Sequence, residues 1–240
     1  VLELANVVLH YESDEGVTVQ ALKGLTLTVA AGELVALYGP SGSGKTTLID
    51  LIVGLTIEPT SGTIRVDGRD ITTMGRKEAD EYRLHTLGII GRPAVLQPGA
   101  RAVRAASIRL RLTDRKNAET AVAPLLARLG LGDRLRHRVE QLSMGEAQRV
   151  VIALALSTGP RLVLADEPTG NLDTENTQLV LGLLRELCHE RNVALLLATH
   201  DPEAANFADR VVRLRDGRLE ACDQDAEDRA AALADTGNGR

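Results

Sequence analysis

The sequence predicts an α/β fold: a mostly parallel sheet flanked by helices, with an N-terminal antiparallel β-subdomain and an α-helical subdomain. Three observations predict it. Residues 2–29 alternate apolar and polar in the manner of paired strands, residues 101–156 carry helical Ala/Leu/Arg patterning, and residues 161–214 alternate short apolar runs with one long helical stretch.

In chain order, Leu2–Tyr11 and Val17–Val29 read as two strands joined at Asp14-Glu15-Gly16. Glu33–Tyr38 reads as a buried strand running into a glycine-rich loop and then a helix over Thr46–Val53. Thr63–Val66 and Leu87–Ile90 read as further strands, so the first third is expected to be β-rich with one crossover helix. The helical region breaks at Gly130, Gly132 and Ser143. Arg161–Ala165, Thr174–Arg191, Val193–Thr199 and Arg210–Leu214 then read as strand, helix, strand, strand, with Asp216-Gly217 as a hairpin turn. From Ala221 on, Asp, Glu, Ala and Gly predominate, as in a disordered acidic tail. The expected division is a domain over 1–219, its helical subdomain over about 92–158, and a tail over 220–240.

Composition excludes several functions. With 28 basic and 33 acidic side chains among 240 residues, the net charge of −5 rules out a generally basic nucleic-acid binder. The best apolar runs, Val150–Leu156 and Val193–Ala198, fall far short of the roughly 18 residues that a membrane span needs. Phe207, Tyr11, Tyr38 and Tyr82 are the whole aromatic complement, so no platform exists for stacking successive bases. Cys188 and Cys222 lack metal-site spacing and read as two unpaired thiols of a reducing compartment, and Val1-Leu2-Glu3-Leu4 shows no signal-peptide pattern. Charge is uneven, with ten basic against four acidic side chains over 101–140, which reads either as a solvated helical face or as a surface for an anionic partner.

Two segments carry chemistry. Gly39-Pro40-Ser41-Gly42-Ser43-Gly44-Lys45-Thr46 fits the phosphate-binding pattern Gly-x4-Gly-Lys-Ser/Thr, between strand and helix as that pattern requires. Glycines let backbone N–H groups converge on phosphate, Lys45 reaches the β- and γ-phosphates, and the Thr46 hydroxyl is offered to Mg2+. The apolar run Arg161–Ala165 ends in Asp166 and Glu167 at the carboxyl end of a strand, where open α/β sheets place their ligands. Asp166 is assigned to Mg2+ and Glu167 to polarising the attacking water; two acids there also suit a helix cap.

Over residues 1–219 the chain resembles the nucleotide-binding subunit of ATP-binding cassette (ABC) transporters, a P-loop NTPase family. The matching segments are Gly39–Thr46 with Thr47 as Walker A, Leu142-Ser143-Met144-Gly145-Glu146 as the signature, Leu162–Glu167 as Walker B, Asn171-Leu172-Asp173 as the D-loop, and His200 as the switch histidine. The run Ala165–Asp173 is similar to the branch serving lipoprotein release, macrolide export and cell-division permeases. The resemblance implies that Tyr11 stacks on adenine, that Ser143, Gly145 and Glu146 face the nucleotide of a partner subunit, and that His200 senses the γ-phosphate. It further implies ATP and Mg2+ as cofactors, a second ATP-binding subunit, and an integral membrane permease that holds the chain peripherally at the cytoplasmic face of the cell membrane.

Two positions depart from the family. Where it has a Gln after the strand corresponding to Leu87–Ile90, this chain has Arg92, and Gln97 lies five positions beyond. A guanidinium cannot ligate Mg2+ and repels it by about 4 kcal/mol at ~4 Å and an effective dielectric near 20, so Arg92 is expected to swing outward or pair with phosphate. Met144 replaces a signature glycine and is expected to distort or crowd that contact. The first reading is thus an ATPase subunit that powers a separate permease through nucleotide-driven dimerisation. The alternatives are a regulatory cassette with little turnover and the asymmetric member of a heterodimeric pair.

Overall fold

A computed structural model describes residues 1–12, 18–54, 57–91, 96–113 and 115–220. The expected turn at Asp14-Glu15-Gly16, the Arg92 position and the tail from Ala221 lie outside the described residues.

The first sheet is antiparallel, in the order β2-β1-β4-β5, from β1 (Leu2–Glu12), β2 (Thr18–Val29), β4 (Ser61–Val66) and β5 (Arg69–Asp70). Its buried positions, among them Leu2, Leu4, Leu25, Leu27, Ile64 and Val66, form one apolar face, the expected result of period-2 patterning. The second sheet has the order β10-β9-β3-β8-β7-β6 and contains β3 (Leu34–Tyr38), β6 (Leu87–Ile90), β7 (Leu162–Asp166), β8 (Ala194–Thr199), β9 (Arg210–Arg215) and β10 (Arg218–Glu220). All its pairings are parallel except β9–β10, which the Asp216-Gly217 turn closes as a hairpin.

The strands β3, β7 and β8 are apolar up to their carboxyl ends because both of their faces are covered. Leu34, Ala36, Val163, Ala165, Leu195 and Leu197 face one core cluster; Val35, Leu37, Leu162, Leu164, Leu196 and Ala198 face the other. The second cluster is closed by α1 (Lys45–Val53) and the antiparallel sheet. The first takes in α3 (Ala102–Ala106), α4 (Ile108–Leu112), α5 (Ala118–Arg128), α6 (Met144–Leu156) and α7 (Thr174–Glu190). The helical region therefore shares its core with the sheet through α6. Cys188 of α7 lies in this core, and burial pushes its thiol up to about 12, which leaves it protonated and inert.

The first third holds two helices rather than one: α2 (Arg76–His85) precedes β6. Its sequence RKEADEYRLH buries Tyr82 alone, so no apolar stripe announced it. The Tyr82 hydroxyl donates to Ile52 O at 2.8 Å and Arg83 Nη1 donates to Gly54 O at 2.6 Å, and these bonds fix α2 against the end of α1. The last helix, α8 (Pro202–Ala205), is one turn capped by Asp201.

Candidate active site

A cavity of about 800 Å3 opens at the carboxyl edge of β3 and β7. Ser41, Gly42, Gly44, Lys45, Thr46, Thr47, Asp166, Glu167 and His200 line it, together with Val19, Gln20, Ala21 and Lys23 of β2 and Asp216-Gly217 of the β9–β10 turn. Seven of the sixteen expected site residues do not line it: Tyr11, Gly39, Pro40, Ser43, Ser143, Gly145 and Glu146 stand outside its wall.

The loop from Gly39 to Gly44 is shaped by its neighbours. A Cβ at Gly39 would stand 2.1 Å from the Leu214 carbonyl oxygen, and Gly39 N–H donates to Thr199 O at 3.2 Å. Gly44 has φ +108, and a Cβ there would meet the Leu22 side chain at 2.9 Å. These two glycines thread the loop between β9 and β2, whereas Gly42 faces open space with φ +80. Ser43 is buried; its carbonyl accepts from Gly217 N–H at 3.1 Å, so the distant hairpin turn pins the loop. Pro40 and Ser41 form the exposed crest.

Lys45 is only 6% exposed, and its ammonium donates to the Gly39 and Pro40 carbonyls at 2.6 and 2.9 Å. Burial lowers its pKa, while Glu167 and Asp166 oppose that shift. One residue on, Thr46 Oγ1 donates to Asp166 Oδ2 at 2.9 Å. A hydroxyl and a carboxylate brought together at a helix start are hard oxygen donors that suit Mg2+. Among the described residues no group of three or more His, Cys, Asp or Glu side chains could hold a metal, so a cation here takes its other ligands from water and phosphate.

Glu167 follows Asp166 with φ +48, a left-handed backbone that a glutamate adopts only under constraint. The constraint is visible: Glu167 N–H donates to Ala198 O at 2.9 Å and its carbonyl accepts from Gly170 N–H at 3.2 Å. Its carboxylate, 13% exposed, takes the His200 N–H at 3.1 Å and lies 2.5 Å from His200 Nδ1. Thr199 Oγ1 lies 3.4 Å away on the other oxygen. A carboxylate held this way at the cavity wall is placed to polarise a water, and His200 fixes its orientation.

Tyr11 stands at the end of β1, 39% exposed, and pairs across the ladder with Val19, which does line the cavity. The Ser143–Glu146 turn belongs to a different place, the start of α6. Ser143 Oγ accepts from Glu146 N–H at 3.2 Å, and Glu146 accepts from Ser143 N–H at 2.9 Å, a complete capping box. Glu146 also accepts from Arg134 Nε at 3.0 Å, and the Ser143 N–H with Arg134 holds its carboxyl below the usual range. Met144 occupies the first helical position, 67% exposed and without a positive φ. The turn keeps its capping box with Met144 in place, because a helical residue needs no glycine, and the side chain stands on the solvent side, where the expected crowding of a partner's nucleotide would fall. Arg92 is outside the described residues, and Gln97 is exposed beside Ala100.

Sequence reasoning missed Gln20, Lys23, Asp216 and Gly217, which reach the cavity only through tertiary packing. The one available signal was Lys23, since the chain has only four lysines.

Residues 22–170 match the family described as ABC transporter. A lipoprotein-releasing system ATP-binding protein of Caulobacter vibrioides is 41% identical over 222 residues, which cover 92% of this chain and 96% of that protein. A macrolide export ATP-binding/permease protein of Rhodopirellula baltica is 42% identical over 216 residues, 88% of this chain but 31% of the relative. Among solved structures, a dimeric bacterial ABC transporter cassette superposes with a TM-score of 0.83 at 31% identity, covering 92% of this chain and 97% of that one. The same cassette in a post-hydrolysis state bound to ADP and Pi superposes with a TM-score of 0.82.

Proposed function

Because the chain belongs to the ABC transporter family of ATP-hydrolysing cassettes, we propose that it uses Mg2+-ATP at the Lys45–Glu167 cavity to drive a separate membrane permease. The observation that carries this is the wall of the cavity, where Thr46 and Asp166 are joined at 2.9 Å and Glu167 is held beside them by His200. In this reading Gly39–Thr47 cradle the phosphates, with Lys45 turning from the loop carbonyls to the β- and γ-phosphates. Thr46 and Asp166 would hold Mg2+, which would neutralise phosphate charge when bound. Glu167 takes a proton from the attacking water as His200 steadies it, and Tyr11 covers adenine beside Val19.

Ser143, Gly145 and Glu146 stand apart from this cavity and are assigned to the nucleotide of a second ATP-binding subunit. The chain sits at the cytoplasmic face of the cell membrane, bound there through the permease; no described helix is long and apolar enough to cross it. The match to 96% of a lipoprotein-releasing ATP-binding relative supports a permease on a separate chain. We assign 1–219 to the ATPase domain, 92–158 to its helical part and 220–240 to a tail, whose first residue, Glu220, still pairs in β10 with Arg213 of β9. The exposed Met144 favours an asymmetric pair, in which one site meets the altered turn.

Glu167→Gln tests the assignment. It should lower kcat by about 10²- to 10⁴-fold with ATP affinity preserved, and light scattering should show ATP-dependent doubling of the mass. Unchanged hydrolysis rejects Glu167 as the base.

A further inference from the structure

A side chain that none of the motifs includes packs against the turn at the start of α6. A Cβ built at Gly145 would stand 2.6 Å from Asn176 Oδ1 and 3.0 Å from its Cγ. The Asn176 amide thus lies directly on the Gly145 backbone, in space that any other residue at 145 would occupy. A flexible amide could swing aside, but this one is tied down: its Nδ2 donates to both Asp173 carboxylate oxygens, at 2.9 and 3.0 Å. Asp173 also caps α7, accepting from Asn176 N–H at 2.8 Å, and these bonds hold its carboxyl below the usual range.

The other end of this brace is the cavity. Asp173 lies six residues after Glu167, and two tight turns fill the interval: Gly170 N–H donates to Glu167 O at 3.2 Å, and Leu172 N–H donates to Thr169 O at 2.9 Å. Pro168 and Thr169 are buried within it. Such a short, hydrogen-bonded and packed segment moves as a piece.

We infer that Asn176, fixed by Asp173, is a positioning residue that sets the Ser143–Gly145 turn and ties it to the chain's own Glu167 segment. The inference rests on the reading that Ser143 and Gly145 face a nucleotide. A displacement at Glu167 then reaches the turn in the same chain without passing through the core. Gly145 is demanded here by Asn176, whatever the turn meets on its other side.

The test compares Asn176→Ala, Gly145→Ala and the double variant in the full chain, by hydrogen exchange of the Ser143–Ala147 amides and by steady-state ATP hydrolysis. Asn176→Ala should raise exchange in that turn about 10-fold and lower kcat about 10-fold, with KM for ATP within about 2-fold. Gly145→Ala should be worse than Asn176→Ala, and the double variant should be less impaired than Gly145→Ala, because the added methyl enters space the amide has left. A lower melting temperature with turn exchange and kcat unchanged overturns the inference, as does additive behaviour of the two substitutions. Ser143→Ala separates the two claims: unchanged kcat there rejects the nucleotide-facing reading, whereas the exchange and additivity results judge the brace itself.

Discussion

Helices α1 and α6 both begin where a phosphate is expected, yet their first turns are built in opposite ways. Helix α1 starts from Gly44, has no side-chain cap and carries no acid in its first turn, so its free N–H groups and positive dipole end are left to a ligand. Helix α6 starts from Ser143, closes a capping box on itself and places Glu146, tied to Arg134, in its first turn. Its donors are partly satisfied and its positive end partly neutralised before any nucleotide arrives. The first end is made to capture a nucleotide, while the second is a finished surface suited to a closing contact.

The largest expected effect breaks this contrast at the capturing end. Lys45→Ala should weaken ATP binding on the order of 100-fold, about 2.7 kcal/mol, as measured by titration calorimetry. Glu146→Ala tests the other end: turnover should fall about 10-fold with ATP affinity within about 2-fold, and loss of the cap should cost about 1 kcal/mol in urea unfolding. An equal loss of ATP affinity in both variants would erase the distinction. Met144→Gly should raise turnover a few-fold while lowering stability by about 0.5–1 kcal/mol, since glycine is a poorer helix residue.

Acid supplies the smallest effect. Glu146 and Asp173 both have carboxyls held below their ordinary pKa, so the folded state prefers them ionised. Their contribution is complete above the ordinary carboxylate range and is lost as pH falls through the lowered folded values. Amide exchange on going from neutral pH into that acidic range should therefore loosen the first turns of α6 and α7 before that of α1, which has no acid in its first turn.

Much of this was legible in the sequence, for identifiable reasons. The strands β3, β7 and β8 are apolar on both faces, and the Gly39–Thr46 pattern sits at the end of the first of them, so local order alone predicted the cavity's floor. Helix α2 was not legible, because its one buried side chain leaves no periodicity. Nor were Lys23 and Gly217, whose approach to the Gly39–Gly44 loop depends on strands pairing across the fold: Lys23 N–H donates to Gly217 O, and Gly217 N–H to Ser43 O. Sequence named Glu146 from its motif; the geometry spends its carboxylate on capping Ser143.

The left-handed backbone at Glu167 bears on how such a chain can change over generations. A non-glycine residue held there stores about 1–3 kcal/mol of strain. Replacement by glycine or asparagine would release much of it, so the mutation that deletes the carboxylate proposed to polarise water also relieves the backbone, against the loss of its bonds to His200 and Thr199. If Glu167 is the base, the backbone strain at this position favours descent from a working motor to a silent nucleotide-binding cassette, and selection for turnover opposes it.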